Sequence, residues 1–347
     1  MTRQQILDYL DDHDEATGAD LCRHLGISRQ AVNQHIKRLI LDRRVEKQGA
    51  TRGAVYRRAD PNRPAAAAVS VQKTIILPGL EEDAVFAELS LRLNLQRRLG
   101  KLARNIARYA FTEILNNAID HSQSSRCELG AEVDRYAYRF RIRDFGLGIF
   151  QSIASKFELQ DESAAVGELL KGKTTTMAER HSGEGIFFTS KSADRISFRS
   201  HRTTLVFDNR KQDVFIEHTR FLRGTDVHFA ISRRSRRDLT QIFAQYAPEE
   251  FDYRFERTRV RVRVLLDDCV SRSQAKRLLT RLTNFREVVL DFSGVANMGQ
   301  AFADEVFRVF LKTHPQIALR IENLPAALAP MVRHVVDDKT TDRLTIG

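Results

Sequence analysis

"FTEILNNAIDHS", residues 111–122, is the stretch from which the rest of the chain is read. On a helical wheel of about 100° per residue, Phe111, Ile114, Leu115, Ala118 and Ile119 gather on one side. Glu113, Asn116, Asn117, Asp120 and His121 gather on the other. The spacing predicts an amphipathic helix. Its polar side carries hard oxygen donors rather than the Lys/Glu mixture of an ordinary solvated face. Glu113 and Asn117 are four apart and project together. A carboxylate and an amide oxygen so placed suit Mg²⁺, directly or through water. The helix alone leaves two readings, a wet face and a metal site.

Two later segments bear on that choice. "YRFRIRDFGLGIF", residues 138–150, reads as a strand running into Asp144-x-Gly146-x-Gly148. "HSGEGIFFTSKSAD", residues 181–194, places Gly183-x-Gly185 at the opening of a helix. Glycines let backbone approach a ligand closely, and a helix N-terminus favours phosphate. Each motif alone is weak. Their order after Glu113-x-x-x-Asn117 makes the set specific.

Together these boxes resemble the GHKL ATPase superfamily, closest to its kinase-like branch, over roughly residues 75–235. The resemblance implies an α/β sandwich with a mixed sheet, with ATP and Mg²⁺ as cofactors. It implies that Asn117 coordinates the metal and that Asp144 accepts from the adenine amino group, with Gly146 and Gly148 making room for the base. Gly183 and Gly185 would line the phosphates under a lid within residues 150–182, where Lys171, Lys173 and Thr174–Thr176 reach phosphate oxygens. "RGTDVHF", residues 223–229, resembles the late Gly-Thr of the family, so Thr225 would support Asp144. Glu113 occupies the catalytic position, which makes ATP hydrolysis or phosphoryl transfer chemically available. His121 stays open between phosphate contact and a structural role. No histidine lies between His35 and His121, which disfavours an autophosphorylating histidine kinase of the usual arrangement.

Residues 1–58 read as helix, short helix, glycine turn, helix and hairpin. Ile6, Leu7 and Leu10 mark the first helix. Thr17 caps the second, which Gly26 ends, and Ser28 caps the third, with Val32, Ile36, Leu39 and Ile40 at helical spacing. "ATGADLCRHLGISRQAVNQHIKRL", residues 16–39, resembles winged helix-turn-helix proteins. That family implies a third helix in the major groove of double-stranded DNA. Here it offers Ser28, Arg29, Gln30, Asn33 and Gln34 to base edges or phosphates, and Lys37 and Arg38 to phosphates. The wing segment holds Arg43, Arg44, Lys47, Arg52, Arg57 and Arg58 against Glu46, an imbalance suited to the phosphate backbone. The acidic "DDHDE" at 11–15 is the feature that suits a protein contact instead. A homodimer is expected because such proteins often bind paired half-sites.

"ADPNRPAAAAVS", residues 59–70, reads as a linker, and a softer boundary falls near 244–254. The expected domains are therefore 1–58, 71–235 and 250–347. The last segment alternates strand and helix: a period-2 strand at "RTRVRVRVLL" (257–266), a helix capped by Ser271 or Ser273, a buried strand at "EVVLDFSGV", and further helix, strand and helix. "VVLDFSGVANMGQAFADEVFRVF", residues 288–310, resembles STAS-like domains, which implies a regulatory or dimerising protein contact. The stretch 296–305 lacks the hydroxyl residue that phosphorylated members carry there. Asp291 and Ser293 are expected to cap the strand end. The fold class is thus multidomain α/β.

The chain of 347 residues has a net charge of +11, which favours an anionic partner without choosing among nucleic acid, nucleotide and phosphoprotein. No apolar run approaches the roughly 18–20 residues that span a bilayer. The start has no apolar signal core, and Cys22, Cys127 and Cys269 form neither a disulfide framework nor a metal spacing. A cytoplasmic location is expected. The leading reading is an ATP-binding transcriptional regulator that Mg-ATP switches. The alternatives are an anti-sigma-type serine/threonine kinase acting on a partner, and a nucleotide-gated stress or defence sensor.

Overall fold

The computed structural model describes residues 2–13, 15–42, 44–48, 54–59, 68–172, 184–266, 268–336 and 342–347. The chain divides into two compact units, Met1–Ala67 and Ala68–Gly347. Most of the linker expected at 59–70 lies outside the described residues.

The first unit packs α1 (Thr2–Asp12), α2 (Gly18–Leu25) and α3 (Arg29–Leu41) against a three-stranded antiparallel sheet. The strands are β1 (Ala16–Thr17), β2 (Val45–Gln48) and β3 (Val55–Arg58), in the order β1-β3-β2. Thr17 and Asp20 form a reciprocal capping box at the start of α2, and Gly26 ends that helix at φ 65°. The Ser28 hydroxyl accepts the Ala31 N–H and starts α3. Ile6, Leu7, Leu10, Leu21, Val32, Ile36 and Leu39 close the core. These elements are the ones the caps and the apolar spacing predict.

The second unit holds two sheets. A five-stranded sheet contains β4 (Val69–Ile76), β5 (Arg126–Val133), β6 (Ala137–Asp144), β7 (Arg195–Asp208) and β8 (Asp213–Ser232), in the order β4-β5-β6-β8-β7. Every pairing in it is antiparallel. Burial alternates along β5 and β6, so one face of the sheet is apolar. That face is covered by α4 (Glu82–Arg92), the short α5 (Leu95–Arg98) and the long α6 (Lys101–His121). α7 (Ile149–Lys156) and α8 (Glu162–Lys171) complete this core through Phe150, Ile153, Val166 and Leu169. Most of the segment expected to form a mobile lid is therefore packed helix. The remainder of that segment, 173–182, lies outside the described residues.

α9 (Gly185–Ser192) and α10 (Leu239–Tyr246) lead into the C-terminal sheet. It orders β9 (Arg257–Arg261), β10 (Glu287–Asp291), β11 (Ala318–Glu322) and β12 (Leu344–Ile346) as β12-β11-β10-β9, all parallel. The two strand directions expected in a mixed sheet are thus divided between two sheets. The connections carry α11 (Val262–Leu265), α12 (Arg272–Leu279), α13 (Gln300–Ala303) running through a π-helical stretch (Asp304–Val309) into α14 (Phe310–Thr313), and α15 (Ala329–Val335).

The strand expected over 257–266 is shorter than its alternation suggests. Pairing ends at Arg261↔Asp291, and with no partner backbone beyond it the chain turns into α11. Ser271, rather than Ser273, caps α12 through a second capping box with Gln274. Asp291 closes its strand as expected. Its Oδ1 accepts the Ser293 N–H at 3.0 Å and the Asn323 amide at 2.9 Å.

Candidate functional site: a nucleotide cavity and a cationic helix face

α6 buries Ile106, Ala110, Phe111, Ile114, Leu115 and Ala118 against the five-stranded sheet, which turns its opposite face into a cavity of about 420 Å³. Glu113, Asn116, Asn117, Asp120 and His121 all line it. The far wall brings Asp144 from the end of β6, Gly148, Gly185 and Thr225. Residues separated by more than a hundred positions therefore meet in one place. Ile142, Ile149, Ile153, Phe198 and Val227 supply an apolar lining. A few convergent polar groups in an apolar cleft of this size is the usual make-up of a small-molecule site.

Asp144 is buried. Its Oδ1 accepts two backbone N–H groups, from Gly146 at 3.0 Å and Thr225 at 3.2 Å. Burial raises its pKa above the ordinary carboxylate value, and the Gly146 and Thr225 hydrogen bonds oppose that rise. Thr225 ties the wall together, because its hydroxyl accepts the Ile149 N–H at 3.0 Å. Gly148 has φ 87°, and a Cβ there would meet Ser200 Oγ at 2.3 Å and Gly224 O at 3.1 Å. Gly146 stands behind the cavity wall rather than in it: a Cβ would lie 1.7 Å from Ser122 O. It lets the β6–α7 loop pack on the end of α6.

Glu113 lies against the first turn of α9. A Cβ on Gly185 would come within 1.8 Å of Glu113 Oε2, so glycine at this position is what lets the carboxylate approach that backbone. Among the described residues no three His, Cys, Asp or Glu side chains group as a metal site. The donor set on α6 instead fits a magnesium ion shared with phosphate, since Mg²⁺ usually takes one or two protein oxygens beside phosphates and waters. Lys173 and Gly183 lie outside the described residues.

Lys171 does not face this cavity. It is 2% exposed. Its ammonium donates to Glu168 at 2.9 Å and to the carbonyls of Arg277 at 3.2 Å and Thr280 at 2.7 Å. The Thr258 hydroxyl donates to Lys171 O at 2.5 Å. The expectation that Lys171 reaches phosphate is corrected by its direction: α8 turns its last residue into the C-terminal segment.

Residues not expected from sequence also line the cavity. Tyr109 lies one turn before Glu113 on α6, and its hydroxyl pKa is raised by burial and then by the charges of Glu113 and Glu184. The four-residue spacing to Glu113 was its available signal. Phe243 comes from α10, beyond the expected end of the domain, and no local pattern marks it. Its ring packs on Tyr109 at 5.6 Å and on Phe188 of α9 at 4.2 Å between centroids. Phe188 lies in the core of the C-terminal sheet.

In the N-terminal unit, Ser28, Arg29, Gln30, Asn33, Gln34, Lys37 and Arg38 are all exposed on α3, while Val32, Ile36 and Leu39 point inward. Ser28 commits its hydroxyl to the helix cap, and Arg38 lies 3.6 Å from Asp42. Arg44 and Lys47 are exposed. Arg52 and Arg43 lie outside the described residues. Two wing cations have another use. Arg57 is buried and pairs with Glu15, and Arg58 lies 3.4 Å from Asp11. The acidic 11–15 stretch therefore has intradomain partners.

Comparison with known families follows the same order along the chain. Residues 4–62 match the MarR family, 87–208 the histidine kinase-like ATPase domain, and 274–326 a STAS-like domain of unknown function. No curated protein matches the chain. A MarR-family helix-turn-helix followed by a histidine kinase-like ATPase domain is the composition of a DNA-binding regulator with a nucleotide domain. Among the described residues no helix is long and apolar enough to cross a membrane.

Proposed function

We propose that this chain is a transcriptional regulator in which Mg-ATP, held in the α6 cavity, switches DNA binding or assembly. The observation that carries the reading is that the elements lining the cavity are also bolted to the C-terminal sheet. α9 offers Gly185 to the cavity and Phe188 to the C-terminal core. α10 offers Phe243 to the cavity, and its ring packs on Phe188. A ligand shifts such an equilibrium only by its differential affinity for two arrangements. Side chains shared between the cavity and a second core give it that difference.

In this reading Asp144 accepts from the adenine amino group on the oxygen its two backbone donors leave, and Thr225 holds it in place. Asn117 holds the metal, which when bound neutralises phosphate charge. Glu113 orients and deprotonates water, so slow hydrolysis resets the switch. Gly183, Gly185 and Lys173 are assigned to the phosphates. On α3, Arg29, Gln30, Asn33 and Gln34 read DNA and Lys37 and Arg38 neutralise phosphates, a role assigned also to Arg52 of the wing segment. The STAS-like segment is assigned a protein contact, and a homodimer matches paired half-sites.

Nucleotide titration and turnover test the site. Asn117→Ala is expected to lose Mg-ATP binding, and Glu113→Ala to bind it without turnover. Wild-type affinity in Asn117→Ala contradicts the assignment. Transfer of label to a partner protein instead of release of phosphate moves the reading to a kinase acting in trans.

A further inference from the structure

A second cavity, of about 310 Å³, opens between the five-stranded sheet and the C-terminal one. Lys191, Arg237, Arg259 and Arg261 line it, facing two carboxylates, Asp213 and Asp291. The arginines are engaged. Arg261 bonds Asp213 at 2.9 Å, Arg259 bonds Asp291 at 3.1 Å and Glu322 at 2.8 Å, and Arg237 lies 3.4 Å from Asp194. Lys191 differs. Among the described residues its ammonium has neither a carboxylate nor a hydrogen-bond acceptor. It sits instead over the rings of Phe187 at 4.9 Å, Tyr246 at 5.9 Å and Phe207 at 6.0 Å.

We propose that this cavity binds a compact organic phosphate, with Lys191 as its principal cation. The charge on the lining favours that class. Each lining arginine already faces a carboxylate, Asp213, Asp291, Asp194 or Glu322, so the lining cation open to an anion is Lys191, and a phosphomonoester carries about −1.5 to −2 near neutral pH. Lysine as a point charge and arginine as a fork are the usual phosphate partners. Leu170, Val214, Ile242 and Tyr246 offer apolar wall to an organic body. The volume is at the lower edge of ordinary ligand pockets, about 300 Å³, which selects a ligand of sugar-phosphate size. Burial, then the charges of Arg259 and Arg261, lower the Lys191 pKa to about 8. An anion beside it reverses the charge contribution. The site is separate from the nucleotide cavity, since Lys191 stands on the last turn of α9 and Gly185 on the first. It gives the C-terminal sheet a ligand of its own to sense.

The test is calorimetric titration of the full chain with glycerol 3-phosphate, ribose 5-phosphate and glucose 6-phosphate, each against its unphosphorylated counterpart. At least one phosphate is expected to bind. Lys191→Met, which keeps the apolar stem, weakens it by about tenfold or more, and Asn117→Ala in the other cavity leaves it unchanged. Carbon-13 reductive methylation of the wild type gives a readout independent of that variant's folding: the Lys191 amine titrates near pH 8 and moves upward with ligand. The proposal is overturned if no sugar phosphate binds, if Lys191→Met binds as well as wild type, if Asn117→Ala abolishes binding, or if ligand leaves the Lys191 titration unmoved. Equal affinity for inorganic phosphate also overturns it, because the apolar walls then select nothing.

Discussion

Replacing Lys171 by methionine tests whether the ATPase segment is held to the C-terminal sheet as the structure places it. Methionine keeps most of the apolar stem and removes only the ammonium. Three bonds go with it, to Glu168 at 2.9 Å, Arg277 O at 3.2 Å and Thr280 O at 2.7 Å. Burial and the nearby Arg281 pull the Lys171 pKa down, while Glu168 pulls it back up, so the ion pair offsets a real desolvation cost. Once the lysine is gone, the Glu168 carboxylate, 6% exposed, keeps Arg281 at 3.1 Å on its other oxygen. Breaking a buried pair on one side costs about 3–5 kcal/mol when the other charge is left alone; with Arg281 still on Glu168, the expected loss is at the lower end, about 3 kcal/mol. Urea unfolding followed by circular dichroism measures it. Because Arg281 still pairs with Glu168, no carboxylate is stranded, and Lys171→Met with Glu168→Gln, which also removes the carboxylate from Arg281, is expected to recover none of the loss. Mg-ATP affinity is expected to change less than about threefold, since the ammonium points away from the cavity. A loss under about 1 kcal/mol refutes the packing argument, and a tenfold loss of ATP affinity restores the phosphate role that the sequence suggested.

Three further outcomes follow from particular contacts. Gly185→Ala places a methyl 1.8 Å from Glu113 Oε2 and 2.7 Å from its carboxyl carbon, so the carboxylate is pushed aside, at a stability cost of about 1 kcal/mol. Any ATP turnover falls by about a hundredfold; unchanged turnover contradicts the placement of Glu113. Asp226 accepts a bidentate Arg141 bond at 2.7 and 2.9 Å. Burial pushes its pKa up, but bonds from His228 and Arg141 outweigh this and lower it to about 2. The carboxylate is stabilising above its unfolded pKa near 3.8, and the stabilisation is lost as pH falls towards 2. About 2 kcal/mol is at stake. Asp226→Asn flattens that part of the stability profile, and a wild-type slope in the variant sinks the argument. On α3, Lys37→Ala is expected to reduce the slope of log affinity for DNA against log salt by about 1, whereas Gln34→Ala changes sequence preference without changing the slope. Equal slopes for wild type and Lys37→Ala remove Lys37 from the phosphate contacts.

The sequence was most informative where structure is local. Thr17, Ser28 and Gly26 announce their helix ends because caps act within four residues. Burial of Val32, Ile36 and Leu39 follows from helical spacing alone. The α6 face was legible for the same reason, and the motifs around Asp144 and Gly185 converge on it because a strand end and a helix start are each marked by glycine. What depended on distant partners was not legible. The alternation in "RTRVRVRV" continues past Arg261, but a strand needs a neighbour, and β10 ends at Asp291. Lys171 reads as a phosphate ligand because it falls within 150–182, the segment that the family resemblance assigns to the lid. Only the three-dimensional position of Thr280 shows where it goes. Phe243 carries no mark of a ligand site in its own helix. It matters because α10 folds back across Tyr109.

The account's central claim is that nucleotide in the α6 cavity changes DNA binding. The direct measurement is operator affinity of the full chain, by fluorescence anisotropy at fixed salt, without nucleotide, with Mg-ADP and with a non-hydrolysable Mg-ATP analogue, for wild type and Asn117→Ala. The account predicts an affinity change of about fivefold or more between the ATP-analogue and apo states of the wild type, absent in Asn117→Ala. Identical affinity in all three states of a wild type shown to bind the nucleotide would contradict it.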